Sequence, residues 1–295
     1  MAGAETRDER TGMTGAGLRG EGARMAELGV GIGWRAELDL TIERMDGVDF
    51  VEVIAENLKP ANLPESLRVL RSKGVPVIPH GVSLGIGAAE PPSPARLAHL
   101  ASCAEALDAP LVSEHLAFVR GGGIEAGHLL PVPRTRESLR VITANVRRAQ
   151  DALPVPLALE NVAAIFGWPD DELTEGQFLA ELVESTGVGL LIDVANLYTN
   201  QFNLGLSAVD ALDALPLEHL AYVHVAGGYE HRGLWHDTHT TAAPQPVLDL
   251  LTELCARATP PGVLLEWDDE FPSDAALGEE LSKIRTAMSL AGEVR

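Results

Sequence analysis

From Leu28 onward, short runs of Val, Ile and Leu alternate with longer stretches in which apolar residues recur at helical spacing. The short runs predict strands over Gly29–Gly33, Phe50–Ala55, Val75–His80, Leu111–His115, Val155–Asn161, Gly189–Val194, Leu220–Ala226 and Val263–Trp267. The longer stretches predict helices over Leu63–Lys73, Ser93–Leu107, Arg136–Leu153, Gly176–Thr186, Pro244–Arg257 and Ala275–Ala291. Two of them carry start signals: Ser93-Pro94 is a cap followed by proline, and Thr174 precedes a polar first turn. Eight strands, each followed by a helix or a long loop, give the count of an α/β protein of the (β/α)8 TIM-barrel type. The main alternative, an open doubly wound sheet, usually carries a phosphate-binding turn after its first strand. Gly29-Val30-Gly31-Ile32-Gly33 lacks that turn's spacing, and its glycines better suit a barrel strand packed closely on its neighbours. No repeat or linker divides residues 27–295, which read as one domain. Residues 1–26, rich in Gly, Ala and charge, are expected to be a disordered extension.

The polar residues that interrupt this pattern are not scattered. His80, Glu114-His115, Glu160-Asn161, Asp193, His224 and Glu266 close six consecutive predicted strands, each after an apolar run. Side chains that end successive parallel strands converge on one mouth of a barrel. Burying each of them without a partner is costly, and a divalent cation is the most economical compensation for many acids and imidazoles brought together. Asn196 follows Asp193 by one turn, and Asp237-Thr238-His239 reads as a local chelate, since residues two apart in an extended segment point the same way. A single ion needs about three or four protein ligands. His80, His115, Glu160, Asp193, Asn196, His224, Asp237, His239 and Glu266 are more than twice that number, so the chain is read as a multinuclear metalloenzyme.

Taken one at a time these residues have plainer readings. A lone histidine on an apolar run, such as His224, is more often a hydrogen-bonded core residue than a ligand. Glu114 beside His115 reads equally as an orienting carboxylate, and Asp268 as a ligand, an orienting acid or a helix cap. Glu114, Asp268 and His231 are the candidates for catalytic roles beside the metal, with His236 near the same loop. Arg35 is read either as a carboxylate-binding group or as a surface salt bridge. For Glu52 and Glu56 the sequence leaves barrel floor and barrel mouth both open. His99, His128 and His219 fall on helix or loop patterns and read as packing or surface residues.

Composition narrows the partners. A formal charge of −21 and a pI near 4.7 repel phosphate backbones and anionic membranes, which argues against nucleic acid. Cys103 and Cys255 lie in helical apolar patterns and read as buried small hydrophobes rather than a disulfide or ligands. No apolar stretch approaches the ~20 residues that span a bilayer, and the first residues lack a secretory h-region. A cytoplasmic protein is expected.

The order His80, His115, Glu160, Asp193-x-x-Asn196, His224, Asp237-x-His239, Glu266 is similar to the trinuclear site of endonuclease IV and xylose-isomerase-like barrels. The finer text is Gly-Val-Gly-Ile-Gly-Trp-Arg35, His80-Gly-Val-Ser-Leu, Ser113-Glu-His-Leu-Ala, Glu160-Asn-Val, Leu-Ile-Asp193-Val-Ala-Asn and Glu266-Trp-Asp. It resembles, from Leu28 to the last helix, the multinuclear non-haem iron enzymes related to the methanobactin-biosynthesis oxidase. That resemblance implies two to three iron ions. His80, His115 and Glu160 would hold one; Glu160 would bridge to a second, completed by Asp193, His224 and Glu266; Asn196, Asp237 and His239 would hold the third. It further implies oxidation, with O2, of cysteines in a ribosomally made precursor peptide, usually with a partner protein that presents the peptide. Two positions depart from the family's text. Ala195 stands where Asn is frequent, and Gly228 closes His224-Val-Ala-Gly-Gly where His is frequent, so the third ion and the substrate chemistry rest on altered sequence.

Two other classes fit the residues. One is a hydrolase or isomerase on the same barrel, of sugar isomerase or phosphodiesterase type, using Zn or Mn as a Lewis acid. The other is a metal-free binding module whose acids and histidines form a structural network, which like-charge repulsion among so many acids disfavours.

Overall fold

The computed structural model describes residues 27–291, so the disordered extension expected over 1–26 lies outside the described residues. All eight predicted strands form: Gly29–Trp34, Phe50–Ile54, Val77–Gly81, Val112–His115, Leu157–Glu160, Gly189–Asp193, Leu220–Ala226 and Gly262–Glu266. They pair in parallel in chain order, and the eighth closes onto the first to complete the barrel. The six predicted helices also form, with ends shifted by a few residues, and pack around the sheet. Thr174 makes a full capping box with Gln177, whereas Ser93 makes no side-chain cap bond and Pro94 alone marks that start.

Several elements escaped the sequence pattern. Helices Asp39–Arg44 and Ala208–Ala214 are only six and seven residues long, too short for a clear period. Helix Val194–Leu204 begins directly on Asp193, and its buried face carries Asn196, Thr199 and Asn200, so polarity conceals it. Two antiparallel hairpins rise beyond the barrel ends, Ala117–Gly121 with Ile124–Pro131, and Tyr229–His231 with Leu234–His236. The second turns on Arg232 and Gly233, both at positive φ, as two-residue hairpin turns require.

Inside the barrel, side chains alternate with a period of two. Phe50, Ile78, Leu111, Ala158, Leu191, Tyr222 and Leu264 pack together as an inner cluster. Two residues further along each strand, on the same inward side, stand Glu52, His80, Ser113, Glu160, Asp193, His224 and Glu266, all buried. The outward-facing Val, Ile and Leu residues join the helices in a separate, larger core. The site is therefore the next layer up from an apolar plug. The first strand offers no side chain at this depth, because Gly31 pairs with Phe50 and Gly33 with Glu52. A Cβ on Gly31 would come within 2.6 Å of the Phe50 ring, and one on Gly33 within 3.1 Å of Arg35 Nη1. The expectation that these glycines serve close packing holds.

Gly31→Ala is accordingly expected to lower unfolding stability by about 1–3 kcal/mol, read from the urea midpoint. Gly278→Ala is the matched control. It lies inside helix Asp274–Leu290 with nothing within 4 Å of its added Cβ, and it should gain up to about 1 kcal/mol.

Candidate metal centre

Eight of the nine residues singled out as ligands fall into three groups whose donor atoms lie within 4.8 Å of one another. The groups are His80, His115 and Glu160; Glu160, Asp193, His224 and Glu266; and Asp193, Asp237 and His239. A fourth joins His239, Glu266 and Asp268. Glu160 belongs to two groups, so they form a fused set rather than separate pockets.

The spacing within the set suits ions. Two donors each about 2.1 Å from one metal, and about 90–109° apart, stand about 3.0–3.4 Å from each other. Glu160 Oε2 is 3.4 Å from His80 Nε2 and 3.3 Å from His115 Nε2. His224 Nδ1 is 3.4 Å from Glu160 Oε1 and 3.2 Å from Glu266 Oε2. Among the described residues, five buried side-chain atoms lack a hydrogen-bond partner: Glu160 Oε2, Asp193 Oδ2, Asn196 Oδ1, His224 Nδ1 and Asp237 Oδ1. Every one belongs to a residue read as a ligand. Buried orphans are costly and rare in native proteins, and their concentration at one spot is what a site able to hold cations would leave.

The other end of each donor is anchored. His115 Nδ1 is 3.1 Å from the Gly81 carbonyl, His80 Nδ1 is 2.8 Å from Ser113 Oγ, and His224 Nε2 is 2.8 Å from Glu52 Oε2. Asp193 Oδ1 accepts from the amides of Ala195 and Asn196 as the cap of helix Val194–Leu204, which leaves Oδ2 for the site. Asn196 Nδ2 donates to the Asn161 carbonyl, which likewise leaves its Oδ1 facing no donor. Asn161 clamps two strand ends by pairing its amide with the backbone N–H and C=O of Asp193.

The Asp237-Thr238-His239 segment is not the extended chelate that its spacing suggests. His239 adopts a left-handed backbone with φ of 53°, its amide donating to the Gly227 carbonyl and its own carbonyl accepting from Asp268. The imidazole still meets Asp237, with Nε2 3.0 Å from Oδ2, while Nδ1 lies 3.1 Å from Asp268 Oδ2. A non-glycine residue held at positive φ costs on the order of 1–3 kcal/mol and recurs at functional sites. Arg35 is buried, not a surface residue. Its Nε donates to Asp268 at 2.9 Å and its Nη2 lies 3.5 Å from Glu266.

Charge explains the titration pattern. Burial, reinforced by Asp237 and Glu160, pushes the Asp193 carboxyl well above its usual range. Burial acts the same way on Glu266, but His224, His239 and Arg35 outweigh it and hold that group well below. Burial and the neighbouring His115 bring His80 down to about 3. At His115 burial is opposed by Glu160 and Glu114, and the result is a rise to about 9.

Three sequence expectations fare differently. Glu114 joins none of the donor groups among the described residues; its two oxygens accept from the amides of Leu84 and His115 and so brace backbone, with Oε1 3.8 Å from His115 Nδ1. His231 is exposed on the second hairpin, where its ring faces His236, and it joins none of the donor groups among the described residues. Asp268 does reach the set, between Arg35 and His239. Cys103 and Cys255 are buried, as expected, and neither enters a donor group. Of the two altered positions, Ala195 packs in the outer core. Gly228 has no room for a side chain, since a Cβ would fall 2.3 Å from the His236 carbonyl. The sequence missed Ser113 and Tyr222 and left Glu52 open. Their one signal was position, two residues from a ligand or in inward register with one.

A closed parallel barrel of eight strands with helices around it is a (β/α)8 TIM barrel, and its donor set lies at the C-terminal ends of the strands. D-psicose 3-epimerase from Clostridium cellulolyticum H10 superposes with a TM-score of 0.57 at 15% identity, covering 90% of this chain and 99% of the epimerase. A xylose isomerase domain protein from Planctomyces limnophilus gives 0.53 at 15%, covering 91% and 99%. At that identity the likeness establishes the fold. Sequence is more specific: the family model described as the RiPP precursor modification enzyme MbnB/TglH/ChrH matches residues 29–289, and the chain belongs to that family. A UPF0276 protein from Streptomyces avermitilis is 59% identical over 275 residues, which are 91% of this chain and 56% of that relative, so the chain spans little more than half its length. One from Chromobacterium violaceum is 36% identical over 264 residues, covering 89% of this chain and 96% of its own. Among the described residues no helix is long and apolar enough to cross a membrane.

In the metal-free protein His115 keeps a proton up to pH about 9, and an entering ion must displace it. Apparent affinity of the His80, His115 and Glu160 group for Zn(II) should therefore rise by up to about tenfold per pH unit up to that point. Calorimetric titrations in buffers of different ionisation enthalpy would show the released proton. A flat affinity profile from pH 6 to 9 would contradict this.

Proposed function

We propose that this chain is a multinuclear iron enzyme that oxidatively modifies cysteine in a ribosomally made precursor peptide, with O2 as oxidant. Family membership supports the peptide substrate. The observation that carries the metal part is the fused donor set centred on Glu160, whose shared carboxylate suits adjacent ions. Imidazole, carboxylate and amide donors without thiolate fit iron, with Zn or Mn as the other metals such a set accepts. In this reading His80, His115 and Glu160 hold the first ion, and Glu160, Asp193, His224 and Glu266 the second. Asn196, Asp237 and His239 hold the third, with Asp193 contributing from its free oxygen. Iron bound there supplies a site for the substrate thiolate and the electron transfers that consume O2.

The rest falls to the protein. Phe50, Ile78, Leu111, Leu191 and Leu264, all 0% exposed, close the barrel beneath the site, so peptide and water enter from the mouth alone. Arg35 ties Asp268 and Glu266 together across the first and eighth strands and sets the wall of that mouth. Asp268, the exposed member of its donor group, is placed to take the proton of an arriving thiol and pass it to solvent. A partner protein that presents the peptide belongs to the same proposal.

The test is anaerobic loading with Fe(II), followed by O2 and a cysteine-containing precursor peptide encoded beside this chain. A change in peptide mass that needs both iron and O2 is the expected result. An unchanged peptide at full iron loading, or zinc as the only metal in protein purified without air, would overturn the proposal. Glu160→Gln should lose at least one ion per chain by elemental analysis, and turnover should fall about 100-fold or more.

A further inference from the structure

Beneath the ligands lie Glu52, Tyr222 and Ser113, which no donor group among the described residues contains and which are hydrogen-bonded to His80 and His224. Glu52 Oε2 is 2.8 Å from His224 Nε2 and also accepts the phenol of Tyr222 in a short contact. Tyr222 Oη is 2.6 Å from Ser113 Oγ, which is 2.8 Å from His80 Nδ1. Glu52, Tyr222, Ser113, His80 and His224 are each at most 2% exposed, so bulk solvent does not reach them.

Counting protons fixes the direction of every bond. A carboxylate only accepts, and a phenol has one proton to give. Tyr222 gives that proton to Glu52, so at its contact with Ser113 the serine hydroxyl is the donor. Ser113 has then committed its own proton, and His80 Nδ1 must donate to it. His224 Nε2 faces the same Glu52 oxygen and must donate as well. Both arms run toward one carboxylate. Each imidazole then turns its other nitrogen to the ligand side: Nε2 of His80, 3.4 Å from Glu160, and Nδ1 of His224, 3.4 Å from Glu160 and 3.2 Å from Glu266.

We propose that Glu52 is a positioning residue of the metal centre: as the common acceptor of the two arms it selects the tautomers of His80 and His224, so that His224 binds its ion through Nδ1 while His80 binds through Nε2. This rests on the metal-centre reading above. His115 is governed independently, by the Gly81 carbonyl at its Nδ1, and binds through Nε2. Glu52 touches no ligand-side atom, so its effect passes entirely through the imidazoles. Groups that orient a ligating histidine in this way are commonly worth about 10–100-fold in metal affinity.

The probe is Zn(II), loaded into protein carrying 15N-labelled histidine, with the His224 resonances assigned as those lost in His224→Gln. The imidazole nitrogen shifts should show His224 metallated at Nδ1 with a proton on Nε2, and His80 and His115 metallated at Nε2. Glu52→Leu, which removes the acceptor, should weaken zinc at the second ion by about 10–100-fold and abolish that Nδ1 signature. Glu52→Gln keeps a carbonyl acceptor and should restore most of both. Tyr222→Phe cuts only the His80 arm, so its loss should be confined to the first ion, which keeps the inference testable if Glu52→Leu does not fold. Wild-type protein that binds zinc with His224 metallated at Nε2, or Glu52→Leu with wild-type affinity and an intact Nδ1 signature, would overturn this inference and leave the metal centre standing. Wild-type protein that binds neither Zn(II) nor Fe(II) would overturn both.

Discussion

Glu160 is 1% exposed, its carboxylate lies 3.3–3.4 Å from nitrogens of three histidines, and yet its Oε2 makes no hydrogen bond. The rest of the barrel mouth is arranged around that oxygen. Asp193 and Glu266 are buried with it, Glu52 lies beneath, Asp237 and Asp268 stand at the mouth, and Arg35 reaches Glu266 and Asp268. Protons offer partial relief, as the upward shifts of Asp193 and His115 show. Divalent cations relieve the excess more completely, because they neutralise several carboxylates at once and occupy the open side of each orphaned donor.

The barrel supplies the rigidity that such a centre needs. His80, Glu160, Asp193, His224 and Glu266 each stand one inward step above a residue of the inner cluster, so the packing that fixes Ile78, Ala158, Leu191, Tyr222 and Leu264 also fixes the side chains above them. Hydrogen bonds then set orientation. Asp193 shows the economy of the arrangement, since one oxygen caps a helix and the other faces the site. The third group is built differently. Asp237 and His239 come from irregular chain after a hairpin, held by backbone bonds to Gly227 and Asp268 rather than by sheet register. Loops are the usual place for a fold to vary its chemistry.

Much of the site was legible because it follows strand period. An apolar run that ends in His or Glu says where a strand stops and which polar group it delivers, and His80, His115, Glu160, Asp193, His224 and Glu266 were all found that way. Glu52 has the same register but sits inside its run, Phe50-Val-Glu52-Val-Ile54, where period alone does not tell floor from mouth. Ser113 and Tyr222 lack the charge that draws attention. The hairpin at Arg232-Gly233 was hidden because its strands are three residues each, and the helix after Asp193 because its buried face is polar.

The sequence by itself determined the barrel and the layer of donors at its mouth, because strand period and parallel order are local properties that closure carries into space. Only the tertiary structure decided which donors share Glu160, that Arg35 is buried against Asp268, that Glu114 turns to backbone amides and that His239 bends back through a left-handed residue. Those outcomes depend on contacts between residues up to 233 positions apart, where distance and hydrogen-bond direction, rather than residue type, select the partner.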